Sequence, residues 1–221
     1  MYISLRLLFW AFTSATVLLS ATLARAHPHI LAEARLDVIV NSDETVRFLR
    51  HFWRFDEIFS SSVVLDFDAN NDLKLDDEEL QKVSTTIFES LADYNYFQLV
   101  TSNGEDIVMN RPARFNVSYD QDQLIVLFEA EPKDLLKLAG KVVFGVYDPT
   151  FYVAIDFVKD GSLAVEGLPA RCTRAVIRPD PNQAITDNQD NLTDEFFNDP
   201  AGTDISKIFA TRLELNCTAK G

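Results

Sequence analysis

From Ala32 to Val40 every second side chain is apolar (Ala32, Ala34, Leu36, Val38, Val40), while Glu33, Arg35 and Asp37 fall between them. A two-residue period commits residues 30–41 to a strand with one wet face. Asn41-Ser42-Asp43-Glu44 is turn chemistry, and Thr45 to Phe55, rich in Val, Phe and Trp, reads as the return strand. A long hairpin therefore organises the first part of the fold. With its turn centred near Asp43, residues whose numbers sum to 85 or 86 face each other, which sets His29 opposite Asp56 and Glu57.

The remainder follows the same logic. Asp56–Leu65 reads as a short helix, residues 66–77 as an acidic loop, and residues 76–94 as a helix with Leu80, Val83, Ile87, Phe88 and Leu91 at helical spacing. Strands are expected at 97–101, 106–109, 114–119, 123–129, 141–147, 151–158, 163–166 and 172–177. Pro132–Leu138 is expected as a helical interruption and 179–202 as a long polar loop. Residues 205–215 are open between helix and strand. The fold class is α+β: mostly antiparallel β in a sandwich-like sheet, with one long helix after an EF-hand-like acidic loop.

Residues 1–26 carry the marks of a secretory signal: Arg6, the apolar run Leu7–Leu19 and the small-x-small site Ala24-Arg25-Ala26. Cleavage there leaves 195 of 221 residues, enough for one sizeable domain. It removes two basic residues and no acidic one, taking the formal charge from −14 to −16. Such a field repels nucleic acid and draws cations. No later segment is apolar enough to span a bilayer, so a soluble periplasmic protein is expected. Cys172 and Cys217 read as a disulfide. It ties a C-terminal loop and tail (179–221) back onto a main domain (27–178).

Cleavage after Ala26 would make His27 the N-terminus. Its α-amine, its ring and the His29 ring would then lie within three residues. Pro28 lacks the amide N–H that a square-planar site through the first peptide nitrogens requires. What remains, amine plus imidazoles, suits Zn²⁺, Cu²⁺ or Ni²⁺, and Asp56 or Glu57 would complete a tetrahedral set. His51 sits about 20 Å from His29 along the hairpin at ~3.3 Å per residue, so it reads as a packed or surface histidine.

A second candidate is the stretch from Asp68 to Glu79. Asp68, Asn70, Asp72, Leu75, Asp76 and Glu79 match positions one, three, five, eight, nine and twelve of an EF-hand calcium loop. Leu73 stands where the turn wants glycine. The stretch is either a weak calcium site or helix-capping acid. Tyr147-Asp148-Pro149-Thr150 reads as an Asp-Pro turn among core aromatics, with no chemistry. No Ser/His/Asp, Cys/His or glycine-rich phosphate pattern is present, and the chain reads as a non-enzyme. The competing enzymatic reading is a copper enzyme built on an N-terminal histidine, and its third ligand has no obvious source.

The His-Pro-His start (His27–His29), the Trp-x-Phe-Asp-Glu stretch (Trp53–Glu57), the Asp-Phe-Asp loop (Asp66–Asp68) leading to Glu79-Leu80, and Tyr147–Thr150 together resemble domain of unknown function family number 1007. The resemblance implies a periplasmic component encoded beside a nickel/cobalt-type permease, with one such pair implicated in zinc uptake. It carries over only to His27 and His29. That family's acidic loop usually has glycine where this chain has Leu73. The function expected is a periplasmic accessory protein that binds zinc (or nickel/cobalt) and works with an inner-membrane metal permease. The alternative is a calcium-binding structural module.

Overall fold

A computed structural model describes residues 29–189 and 204–219. The expected signal peptide, His27 and residues 190–202 of the expected loop lie outside the described residues. Strands β1 (Ile30–Val40) and β2 (Val46–Phe55) form the expected hairpin. They sit inside a six-stranded sheet of order β5-β6-β2-β1-β8, with β9 also pairing to β1. Here β5 is Arg114–Asp120, β6 Gln123–Ala130, β8 Val153–Asp156 and β9 Leu163–Glu166. The strands β8 and β9 run parallel to β1, one along each half of it, and the other pairs of this sheet are antiparallel.

A five-stranded antiparallel sheet has the order β10-β11-β7-β3-β4. Its strands are β3 (Gln98–Ser102), β4 (Glu105–Asp106), β7 (Gly140–Val146), β10 (Cys172–Ile177) and β11 (Arg212–Cys217). The last segment of the chain thus supplies an inner strand, and the disulfide joins directly opposed residues of β10 and β11. Both sheets contribute to one apolar core: Leu36, Leu49, Trp53, Val126 and Phe128 from the first, Val100, Val142, Phe144, Leu213 and Leu215 from the second.

Two helices pass between β2 and β3. Asp56 caps α1 (Glu57–Phe67), and Asp76 caps α2 (Asp77–Ala92) with a reciprocal Asp76/Glu79 capping box. Then Asn95, Tyr96 and Phe97 hold φ of 50°, 52° and 58°, a left-handed turn that delivers two aromatic rings into the core. Among the described residues no helix is long and apolar enough to cross a membrane.

Two local expectations are overturned. Pro132–Leu138 is not helical. Leu136 and Leu138, two apart, are both buried while Leu135 is exposed, and Lys137 between them makes an antiparallel bridge to Thr45 of the hairpin turn. The Val46 amide donates to the Leu136 carbonyl (2.8 Å), and the Leu138 amide to that of Glu44 (3.1 Å). The polar stretch after residue 179 is not all loop, because α3 spans Pro181–Asp187. Asp180 caps it, and Pro181 stands in its first turn, where a missing N–H costs nothing.

Candidate metal centre

The start of β1 is pinned. The amides of His29 and Ile30 both donate to the Tyr152 carbonyl, at 3.0 and 3.2 Å. His29 is exposed, and its ring lies 5.0 Å from the Tyr152 ring. Strand alternation puts His29, Leu31, Glu33 and Arg35 on the outer face of the sheet. His27 lies outside the described residues.

The hairpin register differs from the expected one. Val40 faces Val46, which keeps the sum of 86, but Ile39 faces Phe48, and from there to Ala32↔Phe55 the sum is 87. Arg47 is the extra residue, a β-bulge on β2. Asp56 is therefore opposite Leu31, and the expected facing of His29 by Asp56 and Glu57 does not occur. The Asp56 carboxylate accepts from Leu31 N at 2.8 Å, Ile58 N at 3.0 Å and Phe59 N at 2.9 Å. Burial pushes its pKa up, but the donors on Leu31, Phe59 and Ile58 outweigh that and hold it below the usual carboxylate value. Glu57, at the first position of α1, is exposed. Among the described residues no three His, Cys, Asp or Glu side chains converge as a ready-made metal cluster.

The acidic loop between α1 and α2 is ordered by its own side chains. Asp68 accepts from the amides of Asp72 (3.2 Å) and Leu73 (2.7 Å), Asn70 from Asp72 (2.8 Å), and Asp72 from Lys74 (3.0 Å). Glu79 is buried and accepts from Ala69 at 2.8 Å and Asp76 at 2.9 Å. Asp76 in turn accepts from Glu78 and Glu79. Asn71 and Leu73 both hold φ of 62°. Leucine thus occupies the left-handed conformation that glycine would adopt without penalty.

The sequence profile of a family described as "Protein of unknown function (DUF1007)" matches residues 12–217. The chain belongs to the DUF1007 family. It is 23% identical over 197 residues to an uncharacterized protein of Haemophilus influenzae, the alignment covering 87% of this chain and 91% of that one. Among solved structures, an acetylcholine-binding protein from Bulinus truncatus is similar over 94% of this chain and 96% of its own at 9% identity. The TM-score is 0.37.

Two further residues of this DUF1007 chain gain a place from the structure. His51 is fully buried, its ring stacked on Phe128 (centroids 4.3 Å apart) and edge-on to Trp53 (6.0 Å). Burial lowers its pKa to about 3, with the Gln98 side chain opposing the shift. It is a neutral core histidine, as its neighbours in the sequence indicate. Asp148, to which the sequence assigned no chemistry, is buried and accepts from Thr150 N (2.8 Å), Thr150 Oγ1 (2.7 Å) and Val153 N (2.8 Å). It fixes the turn that brings Tyr152 under His29. The signal available in the sequence was Asp-Pro-Thr, whose side chains bond to the backbone two residues on.

Cys172 and Cys217 are bonded. Such crosslinks persist in oxidising compartments outside the cytosol.

Proposed function

We propose that this protein is a periplasmic transition-metal-binding accessory protein, taking zinc or nickel/cobalt, that works with an inner-membrane permease. The observation that supports it best is the anchored start of β1: two backbone bonds to Tyr152 hold an exposed imidazole at the rim of a rigid sheet. A chain processed to begin at His27 would add an amine and a second imidazole to that rim, a donor set suited to these metals. Of the two carboxylates expected to complete the set, Glu57 is the more available, because three amides already engage Asp56. The acidic surface would raise the local cation concentration. Calorimetric zinc titration of the chain beginning at His27, against one extended by a residue, tests this. Tight binding abolished by the extension supports it, and equal binding in both overturns it.

A second reading is favoured by a separate observation. The left-handed Leu73, the Asp68 carboxylate gathering the amides of Asp72 and Leu73, and the buried Glu79 support reading the loop as a calcium-binding one. Backbone strain of this kind persists where the surroundings impose it. A calcium-dependent rise in melting temperature that zinc does not reproduce would support a calcium-binding role for the loop, and its absence would leave capping as the loop's task.

A further inference from the structure

We infer that the pocket beside the edge strand β8 binds a small organic ammonium, one primary cationic nitrogen on an apolar body. This site stands apart from the metal reading. Strand β8 ends its sheet and, among the described residues, pairs with β1 alone. A pocket of about 270 Å³ lies between it, the end of β7 and residues 206–211. Val153 and Ile155, level with Ile30 and Ala32 of β1 and packed against the core, form one wall. Phe151 and Phe209, edge-on at 5.9 Å, form another.

The polar groups of the pocket select the charge of its ligand. Asp148 is buried in the wall, and its donors, Thr150 N, Thr150 Oγ1 and Val153 N, are all neutral. Among the described residues no Lys, Arg or His pairs with it. Buried carboxylates are ordinarily matched by a cation, and this one is not. The strand edge adds oxygens. Ile30 N donates to the Tyr152 carbonyl, so Tyr152 and Ala154 turn their backbone groups to β1, and Val153 and Ile155 turn theirs away. The Val153 amide goes to Asp148, while the Val153 carbonyl and both backbone groups of Ile155 have no partner among the described residues. Ser206, also in the wall and buried, has an unpartnered hydroxyl.

A primary ammonium carries three N–H donors and no acceptor, which suits a carboxylate beside open carbonyl oxygens. An anion would meet the Asp148 charge. A hydrated metal ion would leave the apolar walls uncovered, whereas a ring or short alkyl body covers Val153, Ile155 and Phe209. A cation within about 6 Å of an aromatic face is held further by the ring. Because Asp148 occupies the Val153 amide, an added peptide strand could not pair along the whole edge. At roughly 30 Å³ for each water-sized group, the pocket holds about nine non-hydrogen atoms.

The test titrates the full chain with 2-phenylethylamine, a probe of that size, by calorimetry in EDTA, so that the metal site plays no part. 2-Phenylethanol, which has a hydroxyl in place of the ammonium, is titrated beside it. The amine should bind roughly tenfold tighter than the alcohol, about 1.4 kcal/mol. Asp148→Asn should erase that preference, and Ala210→Leu, which enlarges a wall residue, should weaken both ligands. Glu105→Gln, an equal change of charge on β4, should leave binding as it is. Asp148 also holds its turn, so a melting temperature accompanies each variant. If Asp148→Asn does not fold, the contrast between amine and alcohol and the Ala210→Leu titration decide. Equal binding of amine and alcohol, amine binding untouched by Ala210→Leu, a loss in Glu105→Gln equal to that in Asp148→Asn, or no amine binding overturns the inference.

Discussion

Asp56 and Leu31 grip each other from both sides: the Leu31 amide donates to the Asp56 carboxylate at 2.8 Å, and the Asp56 amide donates to the Leu31 carbonyl at 2.9 Å. The same carboxylate caps α1, so one residue ties the helix to the strand that carries His29. Asp56→Ala should lower stability to urea by about 1–2 kcal/mol, the range for a lost N-cap. Its effect on zinc binding should be small beside that of His29→Ala. A larger effect on zinc than on unfolding would make Asp56 a ligand after all.

His51 gives the fold a pH dependence of known sign. Its folded pKa, about 3, lies below its ordinary 6.5. The neutral ring's contribution is complete above pH 6.5 and is lost as pH falls from there toward 3, at about 1.4 kcal/mol per pH unit. His51→Leu removes that slope while keeping an apolar group of similar bulk. Relative to its stability deficit at pH 7, the variant should gain roughly 3 kcal/mol on the parent by pH 4. Parallel stability curves across that window would refute it.

Leu73 is strained and exposed, at 72% of its full accessibility. Leu73→Gly gives up little packing and relieves a left-handed side chain, so it should stabilise the loop by about 1 kcal/mol. If the loop takes calcium, the same change should raise the calcium-induced shift in melting temperature. A destabilised variant would contradict the backbone reading.

The link between Cys172 and Cys217 spans 45 residues of sequence. Replacing both with serine should cost about 2–4 kcal/mol in chemical denaturation, since closing a loop of this length constrains the unfolded chain. A loss under about 1 kcal/mol would mean that the hydrogen bonds between β10 and β11 suffice alone.

Much of the sheet was legible because burial on one face writes itself as a two-residue period, as in Ala32 to Val40. The register was less so. A bulge at Arg47 leaves the alternation intact on either side of it, so composition does not reveal that the pairing slips by one. Pro132–Leu138 is short enough to pass for a turn of helix, yet its backbone bonds go to a tertiary partner, the hairpin turn at Glu44–Val46. The helix at Pro181 is marked in the sequence only by the capping pair Asp180-Pro181, because its few apolar residues set up no helical period among the polar ones. At the candidate metal centre His29 could be singled out from sequence, but the support beneath it comes from Asp148 and Tyr152, more than a hundred residues away, where no local pattern links the two.

The Cys172–Cys217 bond also changes what a broken backbone would mean. Because β11 is sewn to β10 at the edge of the second sheet, a single cut anywhere between the cysteines yields two chains that still travel as one molecule. Electrophoresis would show an intact band without reductant and two fragments with it. Lengthening or processing that segment can therefore proceed without the sheet shedding its inner strand.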